Sequence, residues 1–268
     1  MTGRRRPPAR PRCRRLDGLR VLVTGGSSGV GRSLAIEIAR RGGRVLATAR
    51  RADRLAAVAA EPAAHPIAVV AGDVTDEAFR GALPGEAARR LGGLDVVIAA
   101  AGAGAVGPFR DGSAATAARV WALDVVAPLE LVRDCLPLLA ASADPAVVLV
   151  GSILGIHPLP WHAEYCAAKA AIRSLAGTLR VELAPEGIDV LLASLGPTES
   201  EFWDSLLAGS RPAWSRGRPL PAAAAARAIV AGLERRRAEV IPGWQARGYA
   251  LCGRLLPGLI DWAVSRRL

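Results

Sequence analysis

At 268 residues and 51% apolar side chains, the chain can bury one large core or two small ones. Its net charge of +11 resides at the ends: residues 1–15 hold seven arginines and no acid, and residues 227–268 hold eight arginines against Glu234, Glu239 and Asp261. Residues 16–226 carry 20 basic and 21 acidic side chains, and a near-neutral body argues against a folded nucleic-acid-binding face.

The basic stretch RRRPPARPRCRR at 4–15 reads as a disordered, solvated tail, or as residues upstream of the true start; a membrane or nucleic-acid role is the alternative. Arg20–Thr24 (RVLVT) reads as a buried strand, followed by a glycine-rich turn and a helix over about 29–41 that Gly42 and Gly43 stop. Arg44–Ala49 is the second strand. A helix near 51–60, a strand at about 66–71 and a helix within 75–91 follow. Leu94–Ala100 is the fourth strand and Ala114–Leu139 a long helix. Ala146–Val150 is the fifth strand, a helix covers about 162–184, and Ile188–Ala193 is the sixth strand. From about 197 to 220 the pattern lapses into Pro, Gly, Trp and Arg, which suggests a mobile insertion. A helix at 221–237 and a short strand at Glu239–Ile241 close the domain. Short apolar strands alternating with longer helices predict one α/β domain with a parallel sheet. Cys13, Cys135, Cys166 and Cys252 lack metal-like spacing and read as reduced thiols of a cytoplasmic protein with no metal site. No apolar run reaches the length of about 18 residues that spans a bilayer, and the basic start lacks the apolar stretch of a secretory signal.

Of 35 basic side chains only Lys169 is a lysine, and it lies four residues after Tyr165, one of two tyrosines. A position that keeps lysine in so arginine-rich a chain needs a compact ammonium rather than a planar guanidinium. On a helix, i and i+4 share a face. The ammonium can therefore approach the phenol, favour phenolate and suit Tyr165 to proton donation. The turn after the first strand reads Thr24-Gly25-Gly26-Ser27-Ser28-Gly29-Val30-Gly31. Glycines there let the backbone approach a pyrophosphate seated on the next helix's N-terminus. A second GxGxxG match at Gly102–Gly107 follows the fourth strand and reads as loop. About 20 residues past the turn, the second strand ends in Arg50 and Arg51. A basic residue there points to the 2′-phosphate of NADP, with Arg50 the better candidate and Arg51 the solvated opening of the next helix. Ser152, at the end of the fifth strand, sits where such sheets bind ligands.

Together these residues resemble the short-chain dehydrogenase/reductase family over about 16–242. TGGSSGVG at 24–31 matches its cofactor turn, which implies that Gly25, Ser27, Ser28, Gly29, Val30 and Gly31 line the cofactor. Asp73 and Val74 in GDVTD match the adenine side, and AAAG at 99–102, with Ala101 and Gly102, stands for the family's NNAG. Ser152, Tyr165 and Lys169 match its catalytic serine and YxxxK. LGPTESEF at 195–202, with Gly196 and Thr198, resembles the segment at the nicotinamide end that leads into the substrate lid. The family's catalytic asparagine aligns with Asp124, and the chain contains no asparagine at all. An ionised Asp124 would oppose phenolate formation and cannot donate as an amide does. Leu195 and Ser200 replace the usual proline and threonine.

The resemblance implies a single doubly wound Rossmann-type domain with about seven parallel strands. It implies hydride transfer between NADP(H) and a carbonyl/alcohol pair, ketone reduction being the expected direction, in a homodimer or homotetramer. The rivals are a non-catalytic NADP-binding sensor or scaffold and a dehydratase or epimerase, which ordinarily needs a larger substrate domain. Phe202, Trp203, Leu206, Leu207 and Trp214, with His157, Trp161 and His162, either line a pocket for a bulky apolar carbonyl compound or simply pack the lid. The histidines read as exposed loop residues. In the extension 243–268, Leu255, Leu256, Leu259, Ile260, Ala263 and Val264 form an apolar stripe interrupted at Pro257, flanked by Arg254, Arg266, Arg267, Trp244, Tyr249 and Trp262. That stripe either covers the lid or a second subunit, or lies on a membrane surface.

Overall fold

The strands of the computed structural model are apolar along nearly their whole length because both faces of the sheet are covered. The structure describes residues 13–212 and 218–266. Strands β1 (Arg20–Thr24), β2 (Arg44–Ala49), β3 (Ala68–Ala71), β4 (Val96–Ala99), β6 (Ala146–Ser152), β7 (Asp189–Leu195) and β9 (Glu239–Val240) form one seven-stranded sheet in the order β3-β2-β1-β4-β6-β7-β9. Every pairing in it is parallel. Alternate residues feed opposite layers, as the two-residue strand period demands. Val21, Val23, Val96, Ile98 and Val148 pack with α1 (Gly29–Arg40), α2 (Ala52–Ala59) and α7 (Ala222–Glu234). Leu22, Val97, Val147 and Leu149 pack with α3 (Glu77–Leu91), α5 (Ala127–Ala140) and α6 (Ala163–Glu182). The order reverses between β1 and β4, so a crevice opens at their carboxyl ends, where open α/β sheets bind ligands.

Several sequence expectations change in the folded chain. The segment Gly102–Gly107 is not wholly loop: β5 (Ala105–Val106) pairs with β8 (Ala208–Gly209), tying it to the region after β7. The long helix is interrupted. α4 (Ala114–Trp121) passes into a π turn over Ala122–Val126 before α5 begins. Pro128 has no N–H to offer the Asp124 carbonyl four residues back, and the Ala127 N–H bonds to Ala122 O, five residues back. Arg14, assigned by composition to the tail, is buried; it bonds to Asp144 (3.0 Å), Asp189 (2.8 Å) and the carbonyls of Leu233 and Pro145. The earlier tail residues 1–12 lie outside the described chain, as do Trp214 and Arg267.

The C-terminal stripe is not folded onto the lid. α8 (Trp244–Leu255) docks through Ala246, Ala250 and Gly253, whereas α9 (Pro257–Ser265), restarted by Pro257 at its first turn, buries no residue. Leu251, Leu255, Leu256, Leu259 and Trp262 are more than half exposed. Both histidines of the loop after β6 are buried, not exposed. His157 Nε2 faces Asp261 at 3.0 Å and its carbonyl accepts from Tyr249 Oη, so it anchors the extension. His162 Nδ1 lies 2.8 Å from Pro160 O, and burial lowers its pKa despite that bond.

Candidate active site

The turn after β1 is built for close backbone approach. Thr24, itself buried, accepts at Oγ1 from the Ala100 and Ala101 N–H groups (3.1 and 3.2 Å), which holds the AAAG segment beside the turn. Gly25 has φ of +70°, and a Cβ there would stand 2.8 Å from Ala101 N; at Gly31 a Cβ would stand 2.3 Å from Gly25 O. Only glycine satisfies both. The first turn of α1 holds no acid, and Ser28 at its N-cap makes no side-chain capping bond. The leading N–H groups of α1 therefore suit an anion. Ser27 and Val30 are buried beside them.

At the end of β2 it is Arg51, not Arg50, whose side chain lies on the turn. Arg50 is exposed and makes no hydrogen bond or ion pair among the described residues. Arg51 is drawn onto the turn, donating from Nη2 to Ser28 Oγ (2.8 Å) and Ser27 Oγ (3.1 Å). Asp73, just past β3, accepts at Oδ1 from the Thr75 N–H and hydroxyl (2.9 and 2.8 Å). Val74, Ala99, Ala101 and Thr24 line a small cavity at the crevice floor. Gly196 follows β7 with Ala246 of α8 packed against it, and Thr198 Oγ1 donates to Gly196 O (2.9 Å).

The four chemistry-bearing side chains come together at the carboxyl end of β6. Ser152 is buried, accepts from the Leu154 N–H (3.1 Å) and donates to Leu195 O (3.3 Å). Its hydroxyl works against burial in lowering the Tyr165 pKa. α6 presents Tyr165 and Lys169 one turn apart, with Nζ 5.5 Å from the phenol ring centroid. Nζ donates to Val150 O (3.3 Å) and meets Asp124 Oδ2 at 3.0 Å, while Asp124 Oδ1 accepts from the Ala103 N–H (2.8 Å). The Lys169 and Asp124 side chains are only 7% and 0% exposed. Gly102 lies against this pair; a Cβ there would sit 3.2 Å from Asp124 Oδ1 and 3.3 Å from Nζ.

Electrostatics here differ from a simple tyrosine–lysine couple. Burial raises the Tyr165 pKa, Lys169 pulls it down, and Asp124 pushes it up again, for a net rise. Burial disfavours the Lys169 ammonium, but Asp124 and Tyr165 overcome this and its pKa is raised. Lys169 therefore stays charged in the site.

Phe202, Trp203 and His162, named from the sequence as pocket lining or lid packing, form a cover over these groups. The Phe202 ring packs edge-on against Tyr165 with centroids 5.3 Å apart, Trp203 packs on Phe202 at 5.3 Å, and His162 meets Trp203 at 6.4 Å. The segment also carries Glu201, paired with Arg51 and Arg54 of α2. No spacing signal links residues about 150 positions apart.

Comparison with known proteins names the architecture. The family model described as short chain dehydrogenase matches residues 20–210. The chain is a short-chain dehydrogenase/reductase. An uncharacterized oxidoreductase of Escherichia coli is 32% identical over 197 residues, covering 72% of this chain and 65% of that protein, just under two thirds of its length. The crystal structure of a short-chain dehydrogenase from Streptomyces avermitilis superposes with a TM-score of 0.78 at 29% identity, covering 93% of this chain and 97% of that one. A short-chain dehydrogenase from Sphingobium yanoikuyae in complex with NADPH superposes at 0.76 and 29% identity, covering 90% and 94%. Short-chain dehydrogenases/reductases take a nicotinamide cofactor, and the close-approach turn and open α1 N-terminus of this one fit such a group. Among the described residues, no helix is long and apolar enough to cross a membrane, and no cluster of three or more His, Cys, Asp or Glu could hold a metal.

Proposed function

We propose that the chain is an NADP-dependent oxidoreductase that interconverts a carbonyl and an alcohol, working as a ketone reductase on a bulky apolar substrate. The observation that carries this is the meeting of Ser152, Tyr165 and Lys169 beside a dinucleotide turn on which Arg51 is already seated. Gly25, Ser27, Ser28, Gly29, Val30 and Gly31 would hold the pyrophosphate, with Asp73, Val74, Ala101 and Gly102 along the adenosine and ribose. Gly196 and Thr198 would hold the nicotinamide end, and Arg51, with Arg50 beside it, the 2′-phosphate. When bound, the cofactor supplies the hydride. Tyr165 donates its phenolic proton to the substrate oxygen as negative charge develops there, and Ser152 hydrogen-bonds the same oxygen. Lys169 stabilises the phenolate left behind. Asp124 holds Lys169 in place and moderates that stabilisation with its own charge. Phe202 and Trp203 exclude water and favour an apolar substrate.

A cytoplasmic homodimer or homotetramer completes the reading. The exposed strip Leu251, Leu255, Leu256, Leu259 and Trp262 would cover a second copy or rest on an anionic membrane surface. Co-sedimentation with anionic vesicles at low and high salt separates the two.

The test of the activity is NADPH oxidation by purified protein over a panel of ketones and aldehydes, repeated with Tyr165→Phe. Turnover should vanish in the variant while NADPH binding persists; wild-type turnover by Tyr165→Phe would refute the mechanism. A non-catalytic NADP sensor is the second reading, favoured by the direct Asp124–Lys169 pair. It requires NADPH binding with no turnover across the whole panel.

A further inference from the structure

Glu201 reaches back from the segment after β7 to the cofactor turn. Its carboxylate accepts from Arg51 Nη1 at 2.6 Å and also from Arg54 Nη1, while the other Arg51 Nη donates to Ser27 and Ser28. The same segment lies along the crevice: Ser200 Cβ sits 3.0 Å from where a Cβ on Gly29 would be, and Phe202 covers Tyr165. Arg54 and Arg51 hold the Glu201 carboxyl below the usual range, so it is ionised at neutral pH. Two guanidinium groups and two serine hydroxyls thus form an anion site at the end of β2, and the anion in it is the chain's own. Guanidinium forks bind carboxylate and phosphate with the same geometry.

We propose that Glu201 is a specificity-determining residue that competes with the cofactor's 2′-phosphate for Arg51 and Arg54, so that a phosphate-bearing cofactor must displace it and release residues 199–203 from the turn. The inference rests on the NADP reading above. A ribose with a free 2′-hydroxyl brings no charge to expel the carboxylate and can donate a hydrogen bond to it. Glu201 therefore narrows the preference for NADPH over NADH and links recognition of the phosphate to the segment that covers Tyr165.

The two ion pairs are partly exposed, with side-chain exposures of 36–43%, so each is weak and together they amount to roughly three- to tenfold in binding. The experiment is calorimetric binding of 2′,5′-ADP and of ADP to the full chain and to Glu201→Gln, with amide exchange followed over residues 199–203. Glu201→Gln should tighten 2′,5′-ADP by roughly three- to tenfold and leave ADP unchanged, and in the wild type 2′,5′-ADP but not ADP should speed exchange in 199–203. If both proteins prefer 2′,5′-ADP equally, or the variant binds it more weakly, Glu201 serves to hold the arginines and the competition is refuted while NADP recognition stands. If neither protein distinguishes 2′,5′-ADP from ADP, the NADP reading itself falls.

Discussion

Replacing Lys169 with methionine should strand a buried carboxylate. Asp124 has no exposed side-chain surface, its Oδ1 is satisfied by the Ala103 N–H, and its Oδ2, without a hydrogen-bond partner among the described residues, is ion-paired with Nζ at 3.0 Å. At that separation the pair's attraction is about 5 kcal/mol with an effective dielectric of about 20. Removing one partner of a buried pair costs about 3–5 kcal/mol, because the other remains desolvated. For a domain of this size that corresponds to a fall in Tm of about 10 °C. Asp124→Asn in the same chain should recover much of the loss, since an amide needs no counter-charge and the lysine is gone. Urea or thermal unfolding of the two single variants and the double variant at pH 7 measures both effects. If Lys169→Met at pH 7 matches the wild type within about 1 kcal/mol, or if the double variant is no more stable than Lys169→Met, the ion pair does not form as described.

Other outcomes follow from the same geometry. Asp124→Asn should move the alcohol-oxidation profile toward lower pH, because Asp124 helps raise the Tyr165 pKa; an unchanged profile in folded, cofactor-saturated protein would place Asp124 outside proton transfer. Arg51→Asp should weaken NADPH binding more than Arg50→Asp does, and either should spare NADH; equal losses would restore Arg50 to the primary role. Glu239 joins β9 to Arg173 of α6, Ser194 of β7 and Arg254 of α8. Burial works against its ionisation, but those partners hold its pKa at about 2. The stability it contributes is present above the ordinary carboxyl range and disappears as the pH falls toward 2. Glu239→Gln should therefore flatten the acid limb of stability between about pH 4.5 and pH 2; an unchanged limb would mean the network is not intact in solution.

The sheet could be read from the sequence because a strand covered on both faces must be apolar throughout, and that signal is local. Arg20–Thr24 and Arg44–Ala49 carry their boundaries in their own residues. The i,i+4 spacing of Tyr165 and Lys169 on a helix, and the glycines of the turn, were likewise legible because each depends on neighbours in the chain. The rest depends on residues distant in sequence. Which of Arg50 and Arg51 meets the cofactor turn depends on the rotation of the chain as β2 passes into α2, and on Glu201, 150 residues away. The burial of Arg14 depends on Asp144, Asp189 and the end of α7 gathering around it, although composition alone assigns it to a tail. Asp124 was visible as a departure from the asparagine of the family. Only the fold brings its carboxylate onto Lys169, because the π turn ahead of Pro128 sets the direction in which that side chain leaves the helix. Local pattern is enough to specify secondary structure, since backbone bonds and side-chain periodicity act over a few residues. The charge on a buried site is set by whatever the rest of the chain packs against it.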